Sequence, residues 1–451
     1  MQKKHFLLIC YIIASFGLRA QQELGLNFMR DTWQSNGVNP AFAPKANGHF
    51  SLPSYYLGSF NTFGLPRVLR GVVQPSVWVN QLKETSTLAL DAKMDVASFG
   101  FRYQKFYFSL NYGLHYDVLL RAPKGLFNFA ALGNAAFVGQ TLQLGPRFDF
   151  SFSSQLGLGA AYQLNDKLSL GARLKFCRGF ASITTPKSQI ELTTNPDIYQ
   201  LTIATDYQIN SASVDLRNLA SVFNTNGFNQ NSITNVADFF KSAPGRGFGI
   251  DLGAEYKLND QINISASIVN LGVMNWRKRI SSISSKDTYT LDGFDVKKIF
   301  KGDSINFNNL GNSTIDDYIK DNPITSYTTS LPSTFNASAQ YKLNKYWRFG
   351  ALVSVLNHHG SVQPAAAIGA NLDINDVLSL GTTYSIRKRN PVNIGLNAAL
   401  RVGFVQGFVT FDNVLGLSNP SFFGNFNGRV GVNLLFGRKA AKKVQKPIIK
   451  A

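Results

Sequence analysis

Strict two-residue alternation, repeated along most of the chain, is the feature that most narrows its fold. Between Leu168 and Cys177, Leu168, Leu170, Ala172, Leu174 and Phe176 fall on one face, and Ser169, Gly171, Arg173, Lys175 and Cys177 on the other. Successive side chains point to opposite faces only in an extended strand. The pattern returns from Phe106 to Asp117, where Phe106, Phe108, Leu110, Tyr112, Leu114 and Tyr116 oppose Tyr107, Ser109, Asn111, Gly113, His115 and Asp117. It returns again with Phe248, Ile250, Leu252, Ala254 and Tyr256 against Gly249, Asp251, Gly253 and Glu255, and with Val392 to Val402 against Asn393, Gly395, Asn397 and Arg401. Charges keep to the small-residue face, as they must where the other face meets lipid and a midplane cation costs about 2 to 4 kcal/mol. A strand of a soluble sandwich also alternates, so the reading needs the rest of the chain.

Composition agrees. Charged residues are 16% of the chain, against about 25% in ordinary soluble domains. Aromatics reach 13% and there are 38 glycines, as suits lipid-facing strands with small residues turned inward. Residues 1–20 read as a secretory leader: Lys3 and Lys4, an apolar run from Phe6 to Phe16, then Leu18-Arg19-Ala20. Beyond it no run of eighteen apolar residues occurs, so a bilayer would be crossed by strands. The export route also removes Cys10 and leaves Cys177 alone, which excludes an intramolecular disulfide. Of the net +19, three charges belong to the leader and six to the stretch after Phe436, leaving +10 on the body. An exported chain meets no nucleic acid, so that excess reads as lumen charge and as surface charge facing anionic lipid headgroups.

Four related segments punctuate the strands: Tyr162-Gln-Leu-Asn165-Asp166, Tyr256-Lys-Leu-Asn259-Asp260, Tyr341-Lys-Leu-Asn344-Lys345 and Leu372-Asp-Ile-Asn375-Asp376. Each reads as a tight turn, for which Asn and Asp suit left-handed backbone angles. Long polar connections lie elsewhere, chiefly 216–245 and 276–332, with short helices predicted at 236–241 and 315–320. Counting strands back from Phe436 puts all four Asn turns at one end and both long connections at the other. The expected fold is therefore all-β: a transmembrane antiparallel barrel of about 14 to 16 strands, with short periplasmic turns and long extracellular loops. Its parts are the leader (1–20), an N-terminal periplasmic or hatch segment (21–46), the barrel (47–437) and a basic periplasmic tail (438–451).

Arg429-Val-Gly431-Val-Asn-Leu434-Leu-Phe436 closes the chain with a polar residue, glycine two on, then Leu434 and terminal Phe436 at alternate positions. It resembles the assembly signal of Gram-negative outer-membrane barrels, which implies the barrel-assembly machinery as a partner, outer-membrane lipid as the surroundings and the outer membrane as the location. Asn39-Pro40-Ala41 resembles the segment preceding the barrel in FadL-type channels, whose N-terminal hatch folds into the lumen; a simple turn into the first strand is the other reading. The layout from LSLGARLKFCRGFASITTP at Leu168 to TTSLPSTFNASAQYKLN resembles an outer-membrane barrel family of unknown function, loosely grouped with those channels. That resemblance implies a lumen that can be plugged and a hydrophobic small molecule as solute. It carries over no individual ligand-binding residue.

The lumen-lining candidates are His115, Asp117, Arg173, Lys175, Asp251, Glu255 and Arg401, with His115 and Asp117 close enough in register to pair. His358-His359 reads as a solvated loop end, because neighbours on a strand face opposite ways and a shared metal site would need a bend. No nucleophile elbow, zinc-protease helix motif or phosphate loop is present, so the chain reads as neither an enzyme nor a cofactor or metal protein. Two functions stay open: a channel or carrier for a hydrophobic small molecule, and a structural or docking protein that binds a periplasmic or surface partner through its long loops or tail.

Overall fold

The computed structural model describes residues 23–63, 74–197, 200–216, 242–291, 309–310, 313–314, 320–387, 390–418 and 425–438. The leader, the two short helices predicted at 236–241 and 315–320 and most of the basic tail lie outside the described residues, only Lys320 and Arg438 being described.

The strands in chain order are β1 (Ala46–Ser51), β2 (Ser54–Asn61), β3 (Thr85–Tyr103), β4 (Phe106–Pro123), β5 (Thr141–Gln143), β6 (Arg147–Gln163), β7 (Leu168–Thr194), β8 (Leu201–Ala212), β9 (Gly245–Lys257), β10 (Ile262–Trp276) and β11 (Ile280–Leu291). There follow three two-residue strands, β12 (Asn309–Leu310), β13 (Ser313–Thr314) and β14 (Lys320–Asp321), then β15 (Tyr327–Ser330), β16 (Ser333–Lys342), β17 (Trp347–His358), β18 (Ser361–Ile374), β19 (Leu378–Arg387), β20 (Asn390–Val402), β21 (Val405–Phe411) and β22 (Asn425–Arg438).

Antiparallel pairing closes fourteen of these into a barrel, with β1 and β2 acting as the two halves of one strand. Closure runs through Gly48↔Phe436 and Phe50↔Leu434 for β1, and through Tyr55↔Val430 and Gly58↔Asn427 for β2. Between them Leu52-Pro53 forms a break: the five residues from Ser51 to Tyr55 face four on β22, Asn433 to Val430. Proline has no amide hydrogen to give a ladder, so a break there is where it is tolerated.

The wall is inside-out relative to a soluble domain. Phe99, Phe101, Phe108, Leu158, Leu174 and Phe176 stand exposed on the outside, while Arg173, Lys175, Asp251, Asn393, Asn427 and Asn433 are buried inside. Soluble monomers rarely expose so continuous an apolar band. The alternation read from the sequence holds at each strand tested, including β22, where Val430 and Phe436 point out and Arg429, Gly431 and Asn433 point in.

All four Asn turns lie at one end, with the Gln104-Lys105 and Gly403-Phe404 turns. Only the fourth uses left-handed backbone, at Asn375 and Asp376. In the other three the Asn side chain does the work: the carboxamide oxygen of Asn165, Asn259 and Asn344 accepts the amide hydrogens of the residues two and three on. The opposite end carries the longer connections, including helices α1 (Pro75–Gln81) and α2 (Lys124–Leu132). It also has a tight turn, His359-Gly360. Beyond the barrel rim at that end, β7 continues to Thr194 and pairs with β8, which pairs with β11. About twelve residues at ~3.3 Å each make this sheet project roughly 40 Å.

Candidate functional site in the lumen

Residues 23–45 lie inside the barrel. The segment cannot run as one helix through Asn39-Pro40, since the residue before proline avoids helical angles, and it folds instead as two 3-10 turns, Gly25–Asn27 and Trp33–Gly37. Asn36 then braces the next bend, donating from its carboxamide nitrogen to the carbonyls of Pro40 (3.1 Å) and Phe42 (3.0 Å). Asn39 accepts the Ala41 amide at 2.9 Å and donates to the carbonyls of Ala254 and Ala266, both at 3.3 Å.

Two cross-strand glycine pairs give this plug its seats. Gly171 faces Gly253 across β7 and β9, and a Cβ at Gly171 would lie 2.2 Å from the Ala41 nitrogen. Gly350 faces Gly369 across β17 and β18, and Cβ atoms there would lie 2.7 and 2.9 Å from the Phe28 ring. Glycine at these four positions is what lets the plug rest directly on wall backbone.

Charge fixes the rest. The Glu23 carboxylate pairs with Arg429 (2.6 Å) and Lys93 (3.3 Å), and the backbone amides of Leu24 and Gly25 each donate to Asp412 at 2.8 Å. Arg30 pairs with Glu255, and Asp31 with Arg348 at 3.4 Å. Burial raises the pKa of Glu23 and of Asp31, but Arg429 and Lys93 on the first, and Arg348 and Lys45 on the second, more than offset it, so both carboxyls sit below their ordinary range. Gln34 and Asn433 exchange a pair of amide hydrogen bonds at 2.9 Å. Trp33 stacks on His49 at 3.8 Å, and a His49 ring nitrogen meets the Tyr107 hydroxyl at 2.6 Å.

The residues singled out from sequence fall as follows. Asn39, Pro40 and Ala41 are in the lumen against β7, β9 and β10. Arg173 and Lys175 converge on Asp251, at 3.1 and 2.8 Å, and Arg173 also reaches Asn36 of the plug. Glu255 holds Arg30. Arg401 instead lies at the turn end, half exposed, donating to the Gly403 carbonyl. His115 faces the lumen, but Asp117 takes other partners: His358 (2.5 Å) and His359 (2.6 Å). The expected His115–Asp117 pair and the solvated loop end at His358-His359 are both corrected, because positive φ at His359 and Gly360 folds the turn back and buries both imidazoles.

Above the plug is a cavity of about 120 Å³. Leu24 and Val38 of the plug, Met274, Trp276 and Leu331 give it an apolar side. Glu23, Asp91, Lys93, His115, Asp117 and His358 give it a charged one. Beside it the wall is incompletely zipped: β2 and β3 are registered only at Ser54↔Asp95 and Asn61↔Leu88, and the β3 residues Ala89, Asp91 and Lys93 between those points line the cavity. Gly171 and Gly253 stood out in the sequence as small inward residues, whereas Gly350, Gly369, Glu23 and Asp412 were missed.

A family model described as "Family of unknown function (DUF5723)" matches residues 40–412. No curated protein matches the sequence. Among solved structures, the chain is similar to the Pseudomonas putida toluene transporter TodX, at 11% identity and a TM-score of 0.43, covering 90% of this chain and 93% of that one. It is similar also to the Ralstonia pickettii toluene transporter TbuX (11%, TM-score 0.44, 90% and 94%). A Pseudomonas aeruginosa FadL homologue matches at 10% and 0.36, covering 88% and 91%.

Proposed function

From the premise that this chain belongs to the DUF5723 family of unknown function, we propose that it is an integral outer-membrane barrel of a Gram-negative bacterium that passes a small, largely apolar molecule with one polar end. The inside-out wall supports the membrane setting. The observation that carries the solute reading is the cavity of about 120 Å³ over the plug, apolar on the Trp276 side and charged on the Lys93–Asp117 side. Its size is of the order of an apolar cavity that takes benzene, roughly 150 Å³. The plug meets the wall through hydrogen bonds and ion pairs and through three separate apolar clusters: Leu24 and Phe28 on Leu352, Leu26 and Met29 on Phe408, and Trp33 on Tyr107.

The test is uptake into proteoliposomes of a graded series: benzyl alcohol, phenylacetate and glucose. Preferential entry of the aromatic pair supports the reading. Equal exclusion of all three with the barrel assembled contradicts it.

A second reading has one observation in its favour. The projecting β7–β8–β11 sheet has a polar outer strand, Ser284-Ser-Lys-Asp-Thr-Tyr-Thr290, which among the described residues pairs on its far side with β14 alone, at Ile283 and Ser284. An open strand edge can take a further strand from a partner, so this sheet would serve a docking protein.

A further inference from the structure

We propose that Asp117, His358 and His359 bind a divalent transition-metal cation of the zinc class, which ties one wall of the lumen to the other at the loop end. The three do not belong to neighbouring strands. Asp117 is on β4, third around the barrel from the β1–β2 strand, and His358 ends β17, ninth of fourteen. Their contact therefore crosses the lumen, between residues 241 apart in sequence.

The geometry is that of a ligand set. One carboxylate oxygen faces each imidazole Nε2, and the donor atoms of the three lie within 4.8 Å of one another. All three residues are buried, at 6%, 3% and 9% exposure for Asp117, His358 and His359. The His359-Gly360 turn, with φ of 46° and 76°, is what brings adjacent histidines to one point. Its backbone is held: Arg121 and Arg147 each donate to the His359 carbonyl at 3.3 Å. Those guanidiniums do not leave the site strongly cationic, since Asp149 pairs with Arg147 at 2.9 Å and lies 4.0 Å from Arg121.

Two imidazole nitrogens and one carboxylate oxygen suit zinc and its first-row neighbours; magnesium and calcium require oxygen donors throughout. Tetrahedral Zn–N and Zn–O bonds of ~2.0–2.2 Å set ligand atoms ~3.3–3.5 Å apart, so the contacts at 2.5 and 2.6 Å would open by about 0.8 to 1 Å and the widest donor separation, within 4.8 Å, would close by about 1 Å. Asp117 and His358 also line the cavity, so further coordination positions face the space where solute would sit. The competing account is a purely structural pair of hydrogen bonds between the two imidazoles and the carboxylate, and it predicts metal binding no tighter than that of the variants.

The full-length protein, extracted from membranes in detergent and treated with chelator, is titrated with Zn²⁺ alone by calorimetry, and its metal content is measured after dialysis. One Zn²⁺ per chain is expected, with affinity reduced by more than about 100-fold in the His358→Gln/His359→Gln double variant and in Asp117→Asn. Asp260→Asn, at the exposed turn at the opposite end, keeps wild-type affinity. Heat-modifiable migration establishes that each variant is a folded barrel. Cobalt(II) gives an independent readout, a visible absorption spectrum of the wild type that the double variant lacks. Zn²⁺ binding no tighter in wild type than in the folded double variant overturns the proposal, as does equal affinity for Ca²⁺.

Discussion

Gly253 and Asn39 are in such close contact that a Cβ on the glycine would sit 2.0 Å from the Asn39 side-chain oxygen. A wall residue and a plug residue 214 positions apart thus share one van der Waals surface, and a single methyl group is enough to separate them.

Gly253→Val should therefore unseat the Asn39-Pro40-Ala41 bend while leaving the wall intact, because valine is a good strand former and only the inner face changes. Losing the Asn39 hydrogen bonds to Ala254 and Ala266 costs about 1 to 3 kcal/mol. The expected result is faster proteolysis within residues 23–45 with unaltered heat-modifiable migration.

The outward and inward faces of β7 should differ sharply. Leu174 is exposed on the outer band and Ser169 faces inward near the turn end. Leu174→Arg places a cation against lipid at about 2 to 4 kcal/mol and should lower the yield of assembled barrel several-fold. Ser169→Arg should assemble normally. Heat-modifiable migration of outer-membrane fractions reads both.

The fold was legible in the chain because lipid outside and polar lumen inside impose one parity on every wall strand, as from Leu168 to Cys177. The plug was half legible: Asn39-Pro40-Ala41 and the inward glycines mark it, but which glycine meets which plug atom depends on register around the barrel. The Asp117–His358–His359 cluster was not legible at all. Strand parity puts adjacent histidines on opposite faces, and only the left-handed turn at His359-Gly360, together with closure that carries β4 across from β17, overrides it. The projecting sheet was missed because its strands, such as Ser281 to Thr290, are polar on both faces and give no periodic signal.

At β22, Phe436 pairs with Gly48 and stands exposed on the outside, stacked near Phe404 at 6.4 Å. Phe436→Ser, or removal of 429–451, should abolish assembly and leave the chain degraded. Removal of 439–451 keeps every β1–β22 pair and should assemble as wild type; quantitative blotting of membrane fractions compares the three.

Acid should loosen the plug. Glu23 and Asp31 have pKa values depressed by their cationic partners when docked. A depressed carboxyl contributes stability that is complete above its undocked pKa and is lost as pH falls through its docked one. Docking should thus hold at neutral pH and weaken progressively below about pH 4, and Glu23→Gln, which cannot titrate, should weaken docking at neutral pH and flatten its acid dependence. Hydrogen exchange of the 24–36 amides against pH is the measurement.

The central claim is that residues 23–45 close the lumen, and single-channel conductance in planar bilayers tests it most directly. Wild-type protein should show little or no conductance, and deletion of 31–45 should open a large, stable pore of the kind a fourteen-stranded wall would enclose once emptied. Unchanged conductance from the deleted protein, with its barrel assembled, would contradict the account.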